Sequence, residues 1–108
     1  MEAISALYAP DAVFYSHPFR ARQVPREYVA WAFAEQAAAQ CRFGEPLVDE
    51  DRAAVDWWAV VTGHDGTEES LAGMSLLRFD ADGLVVEQRD AWGQLPGLHD
   101  PPDWAPRA

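Results

Sequence analysis

Residues 79–92 read FDADGLVVEQRDAW. The first part is a turn signal, Asp80-Ala81-Asp82-Gly83. Gly reaches φ > 0 without steric cost, and an Asp side chain can bond its own backbone, so the two together mark a hairpin. The run that follows, Leu84 to Trp92, alternates. Val86, Gln88, Asp90 and Trp92 share one face; Val85, Glu87, Arg89 and Ala91 share the other. With the first face inward, Asp90 becomes a carboxylate in a mostly apolar interior. Such a group has to be paired, hydrogen-bonded or protonated.

Outward from that strand, the chain reads as α+β. Leu7 and Tyr8 follow Ile4 at helical spacing, so Met1 to Tyr8 is predicted as a short helix, ended by Pro10. Ala12 to His17 (AVFYSH) reads as a strand, with Val13, Tyr15 and His17 on one face and Phe14 and Ser16 on the other. After a loop carrying Arg20 and Arg22, Pro25 opens a helix from Arg26 to about Ala39, with Val29, Ala32, Phe33, Gln36 and Ala37 in one stripe. Cys41 to Val48 is interrupted by Gly44 and Pro46 and reads as a bulged or edge strand. Arg52 to Thr62 (RAAVDWWAVVT) and Glu68 to Phe79 (EESLAGMSLLRF) are long strands joined by the loop GHDGT. Helices gathered on one face of a curved sheet are the expected plan. Residues 1–92 form the predicted domain, and residues 93–108 a Pro-rich irregular tail that Trp104 could pin.

Composition narrows the classes of function. The 108 residues make one domain, 49% hydrophobic and 24% charged. A formal net charge of −10 argues against nucleic acid and against anionic membranes as partners. One cysteine, Cys41, excludes an intrachain disulfide and argues against a cysteine-based metal site. No signal-peptide pattern or membrane-length apolar run is visible, so a cytoplasmic protein is expected. No His/Asp/Glu set has metal-ligand spacing, and no phosphate-cradling Gly loop occurs, so neither a metal nor another cofactor is expected.

The strings LYAPDAVFYSHPF, RAAVDWWAVV, LAGMSLLRFDADG and VVEQRDAW, with a Pro-initiated helix after the first, resemble the SnoaL-like branch of the nuclear-transport-factor-2-like superfamily. The likeness spans residues 4–92. It implies a cone-shaped α+β barrel, in which a curved, mainly antiparallel sheet wraps around helices and encloses an apolar pocket. That superfamily holds isomerases, cyclases, dehydratases, hydrolases and binding proteins. Its members usually carry a longer first helix than the one beginning here at Ile4.

The site comparison comes from the limonene epoxide hydrolase branch. There a carboxylate on the last strand works with a Tyr and an Asn two residues apart on the first strand, and with an Arg and a second Asp on the central strand. The resemblance puts Asp90 in the first role, Tyr15 and His17 at the Tyr and Asn positions, and Asp56 at the second Asp. Ala54 stands at the Arg position, so epoxide hydrolysis is not implied. Asp90 is then a general base, with Tyr15, His17 and Asp56 orienting a water or a substrate oxygen. Two carboxylates in one apolar pocket would push one pKa up. The same residues have structural readings. Asp90 could pair with Arg20 or Arg22, and Asp56 with His17 or Tyr15. The expected lining is Val13, Phe33, Trp58, Val60, Ser75, Leu77, Gln88 and Trp92.

Val55, Trp57, Ala59 and Val61 fall on the face of their strand opposite Asp56, as Ala72, Met74 and Leu76 do opposite Ser75. So much apolar surface on one sheet face predicts a homodimer through Val55, Trp57, Ala59, Met74 and Leu76. Two functions are therefore expected to compete. One is a cofactor-independent acid–base enzyme acting on a small apolar substrate. The other is a homodimeric binding or accessory domain with the same pocket.

Overall fold

A computed structural model describes residues 6–101 and 103. Ile4, the Phe33 side chain and Trp104, which carry expectations above, lie outside the described residues. The elements in chain order are β1 (Tyr8–Tyr15), α1 (Pro25–Glu35), β2 (Gln36–Phe43), β3 (Leu47–Asp49), β4 (Arg52–Gly63), β5 (Glu68–Phe79) and β6 (Val85–Pro96). The sheet runs β1-β6-β5-β4-β2, with β3 also paired to β4. Only the β1–β6 pair is parallel. The result is a curled half-barrel of mainly antiparallel strands with, among the described residues, one short helix, the expected cone-shaped α+β class.

The hairpin that opens the reading forms as its residues require. Oδ1 of Asp80 accepts the backbone N–H groups of Asp82 at 2.9 Å and Leu84 at 3.0 Å, and Gly83 takes φ 83°. Two boundaries differ from expectation. Tyr8 opens strand β1 instead of closing a helix. The helix also stops at Glu35, four residues early. Ala37, Ala38 and Ala39 are good helix formers, yet they lie in β2, whose ladder puts Ala38 opposite Thr62 and Ala39 opposite Val61. Propensity is a weak preference, and the β4 ladder overrides it. A ring nitrogen of His64, from the β4–β5 loop, bonds the Ala34 carbonyl at 2.7 Å and so caps the last helical turn.

Which side chains share a face follows from the ladders, because directly paired residues point the same way. Val55 lies opposite Ser75, and Ser75 opposite Asp90. Trp57 lies opposite Gly73, and Gly73 opposite Trp92. Leu77 lies opposite Gln88, and Gln88 beside Phe14. This is the inner, helix-bearing face: the Tyr28 ring of α1 meets Phe14 edge-on at 4.7 Å. The outer face carries Asp56, Met74 and Ala91 in one row, and Ala54, Leu76, Arg89 and Tyr15 in the next.

The expected faces of β1 and β4 are therefore reversed. Val13, Tyr15, Asp56, Trp58 and Val60 lie on the outer face, and Val55, Trp57 and Ala59 on the inner one. A one-residue difference in strand phase moves every side chain to the other side. AAVDWWAVV is apolar on both faces, so alternation alone could not fix that phase.

The outer face is partly covered. Trp58 is only 6% exposed, packed with Val60 and Ala72 and lying under the Arg42 guanidinium at 5.3 Å. Strand β6 runs four residues past Trp92, to Pro96, and the chain then turns back at Gly97 (φ 88°). The Ser70 hydroxyl donates to the Gly97 carbonyl and accepts the His99 backbone N–H, both at 2.9 Å, so the tail begins as a clasp on β5. Met74 (59% exposed) and Leu76 (48%) remain open.

Candidate functional site

On the inner face a line of hydrogen bonds converges on one oxygen. The Trp57 indole N–H donates to the Ser75 hydroxyl oxygen at 2.9 Å, and that hydroxyl donates to Oδ1 of Asp90 at 2.6 Å. From the other side the Gln88 amide donates to the same Oδ1 at 2.9 Å, while its carbonyl accepts the Tyr8 hydroxyl at 2.5 Å. The ladders bring these groups together. Ser75 is the direct cross-strand partner of Asp90, and Gln88 precedes it by two on the same face. Because Trp57 can only donate, the hydroxyl proton of Ser75 is directed at the carboxylate.

Both donors hold the carboxyl group through Oδ1. Among the described residues none donates to Oδ2, and no buried side-chain oxygen or nitrogen lacks a partner. Oδ2 is thus the oxygen of Asp90 left without a donor among the described residues. Burial pushes the Asp90 carboxyl above its ordinary range, and the Ser75 and Gln88 hydrogen bonds pull against that rise. Burial also pushes the Tyr8 phenol up, and the Asp90 charge adds to the effect. Tyr28 is raised by burial as well, with the Arg20 charge opposing and the Asp90 charge reinforcing the shift.

Of the residues expected to act with Asp90, two are elsewhere. Tyr15 and Asp56 lie on the opposite side of the sheet. Asp56 is set against Gly44, where an added Cβ would fall 1.9 Å from Oδ1. The rise at Asp90 comes from burial and not from a second carboxylate. His17 lies beyond the end of β1, edge-on to Trp92 at 4.9 Å, with Nδ1 accepting the Phe19 N–H at 3.3 Å. Of the residues expected to line a pocket, Ser75, Leu77, Gln88 and Trp92 lie on the inner face and Val13, Trp58 and Val60 on the outer one.

Three contributors escaped the sequence reading: Tyr8, Tyr28 and Trp57. Tyr8 was placed in a helix, Tyr28 flanked the apolar stripe of its helix, and Trp57 was assigned outward. The usable signal is Ser75, a hydroxyl inside the apolar run Leu71 to Leu77, which needs a partner on its own face. Arg20 and Arg22 form no ion pair with Asp90; among the described residues the ion pairs are those of Glu87 with Arg78 and Arg89. Those residues also hold no cluster of three or more groups that could bind a metal. No helix among them is long and apolar enough to cross a membrane.

Comparison with known proteins gives the same architecture. An NTF2-like protein of unknown function from Exiguobacterium sp. 255-15 superposes with a TM-score of 0.74 at 17% identity, over 89% of this chain and 81% of that one. SalBIII, described as an epoxide hydrolase/cyclase-like enzyme in pyran ring formation in the polyether salinomycin, gives 0.75 at 18% identity, over 85% and 77%. AclR from Streptomyces galilaeus gives 0.69 at 23%, over 85% of this chain but 64% of its own. No curated protein matches. The SnoaL-like domain family model matches residues 1–88. Sheet order, helix placement and that match lead to one assignment: the chain belongs to the SnoaL-like domain family.

Proposed function

We propose that the inner face binds a small, largely apolar molecule and that Asp90 exchanges a proton with it, without a cofactor. The observation that carries this reading is the one-sided anchoring of Asp90. Ser75 and Gln88 fix the carboxyl through Oδ1 and leave Oδ2 to face a ligand. A raised pKa brings the acid nearer the range in which it can both take and return a proton. Val55, Trp57, Leu77 and Trp92 supply apolar surface around it. Isomerisation, cyclisation, dehydration and hydrolysis all fit one positioned acid–base. The similarity to SalBIII supports a cyclase or hydrolase most directly.

The test is a panel of small apolar ketones, enones and epoxides incubated with wild type and Asp90→Asn, followed by mass spectrometry. Turnover by wild type that falls on the order of 100-fold or more in the variant, with ligand binding kept, supports the acid–base role. Binding by both proteins with turnover by neither identifies a binding module instead.

Two copies are proposed to meet through the outer face. A groove of about 510 Å³ there is lined by Tyr15, Ala54, Met74, Leu76 and Arg89, and Asp90 also borders it. Arg52 and Arg78 lie beyond one end of it with Glu87, which pairs with Arg78 and Arg89. Met74 and Leu76, exposed in the groove, supply the apolar surface for that contact.

A further inference from the structure

The loop after β1 brings a cation to the inner face. The Arg20 guanidinium lies 5.4 Å from the centre of the Trp92 ring, and its terminal nitrogen donates to the Ser16 hydroxyl oxygen at 3.0 Å. Ser16 is 1% exposed and is itself fixed, because its hydroxyl donates to Gln23 at 2.5 Å and its carbonyl accepts the Trp92 indole N–H at 2.5 Å. The loop backbone closes on itself through Arg20 N–H to the His17 carbonyl at 3.0 Å. A long, flexible side chain is thus held at two points, Ser16 and Trp92, and its backbone at a third, with most of its five N–H groups left over. Eighteen acidic residues are present, yet among the described residues none forms an ion pair with Arg20.

Its position relative to Asp90 follows from the strand. Trp92 is two residues beyond Asp90 on the same face, so ring and carboxyl are separated by roughly one two-residue repeat, about 7 Å. Tyr28 feels both charges, that of the Arg20 guanidinium and that of the Asp90 carboxylate. The inner face therefore pairs a positioned carboxyl with a positioned, unneutralised cation.

We propose that Arg20 is the anion-binding residue of this site, and that the ligand carries an oxygen that is or becomes negative (a carboxylate, enolate or phenolate), held by Arg20 with Tyr28. This rests on reading the inner face as the ligand site. A planar guanidinium stacked on an aromatic ring is well suited to an oxyanion, and a lysine is not equivalent there.

The probe is 4-nitrophenol, whose neutral and ionised forms differ in colour, with nitrobenzene as the uncharged control. In wild type, the bound probe should ionise at lower pH than the free probe. Arg20→Met should weaken nitrophenolate binding about tenfold or more, as expected for loss of one charge-assisted contact, and leave nitrobenzene binding unchanged. Arg20→Lys should recover part of the loss. Asp90→Asn should bind nitrophenolate at least as well as wild type, because a negative neighbour is removed. Three results would overturn the proposal: no nitrophenolate binding by wild type, equal binding by Arg20→Met, or a parallel loss of nitrobenzene, which marks Arg20 as structural. If nitrophenolate behaves as stated but Asp90→Asn keeps full turnover of a substrate, the anion site stands and the acid–base role of Asp90 falls.

Discussion

Ser75 and Asp90 face each other across the β5–β6 ladder, and the serine hydroxyl donates to Oδ1 of the carboxyl group at 2.6 Å. The bond works against burial, which drives the carboxyl pKa upward. Ser75→Ala should therefore raise the Asp90 pKa further. Trp57→Phe, which removes only the donor behind Ser75, should raise it less. Carboxyl-resolved NMR titration reads both, and an unchanged titration would show that the relay does not reach Asp90.

The raised pKa fixes the sign of a stability effect. A carboxyl held above its unfolded value favours the folded state while protonated, so this contribution is complete below the unfolded pKa of about 3.9. It is lost as pH rises through the folded pKa. Asp90→Asn should thus unfold at higher denaturant concentration than wild type at neutral pH, with the gap closing toward acid. A gap that widens toward acid would mean that Asp90 is stabilised as the anion.

Gly73 sits between Trp57 and Trp92 in the ladder, and a Cβ there would come 2.3 Å from the Ala91 carbonyl oxygen and 2.6 Å from the Trp92 Cβ. Backbone cannot move aside as a side-chain tip can. Gly73→Ala should cost about 1–3 kcal/mol as an overpacked site, measured by urea unfolding. It should also shift the Trp92 indole that the Arg20 loop rests on.

Leu76→Arg tests the outer-face contact. It puts a charge in the groove beside Arg89, so it should give monomers in size-exclusion chromatography with an unchanged fold by circular dichroism. A dimer that survives it is built elsewhere.

The long hairpins were legible because their signals are local. Asp80 and Gly83 specify a turn, and GHDGT specifies the next; β5 begins and ends where its alternation does. The site was half legible for the same reason. Ser75, Gln88, Asp90 and Trp92 lie on two strands joined by that hairpin, so one phase serves all four. Asp56 and Tyr15 were misplaced because β4 and β1 are apolar on both faces, and their phase is set by pairing across the sheet. Arg20 was legible as a possible partner of Asp90, but its actual rest on Trp92 depends on a loop fold held by Ser16 and Gln23, which no spacing reveals.

The proposed chemistry belongs to Asp90 on the inner face and not to Asp56, the carboxylate that looks equivalent in the sequence. The direct measurement is turnover of a substrate from the ketone, enone and epoxide panel by Asp90→Asn and Asp56→Asn in parallel. Loss of turnover in Asp90→Asn with near wild-type rates in Asp56→Asn is the predicted result. Loss in Asp56→Asn, with Asp90→Asn still active, would contradict it and move the site to the outer face.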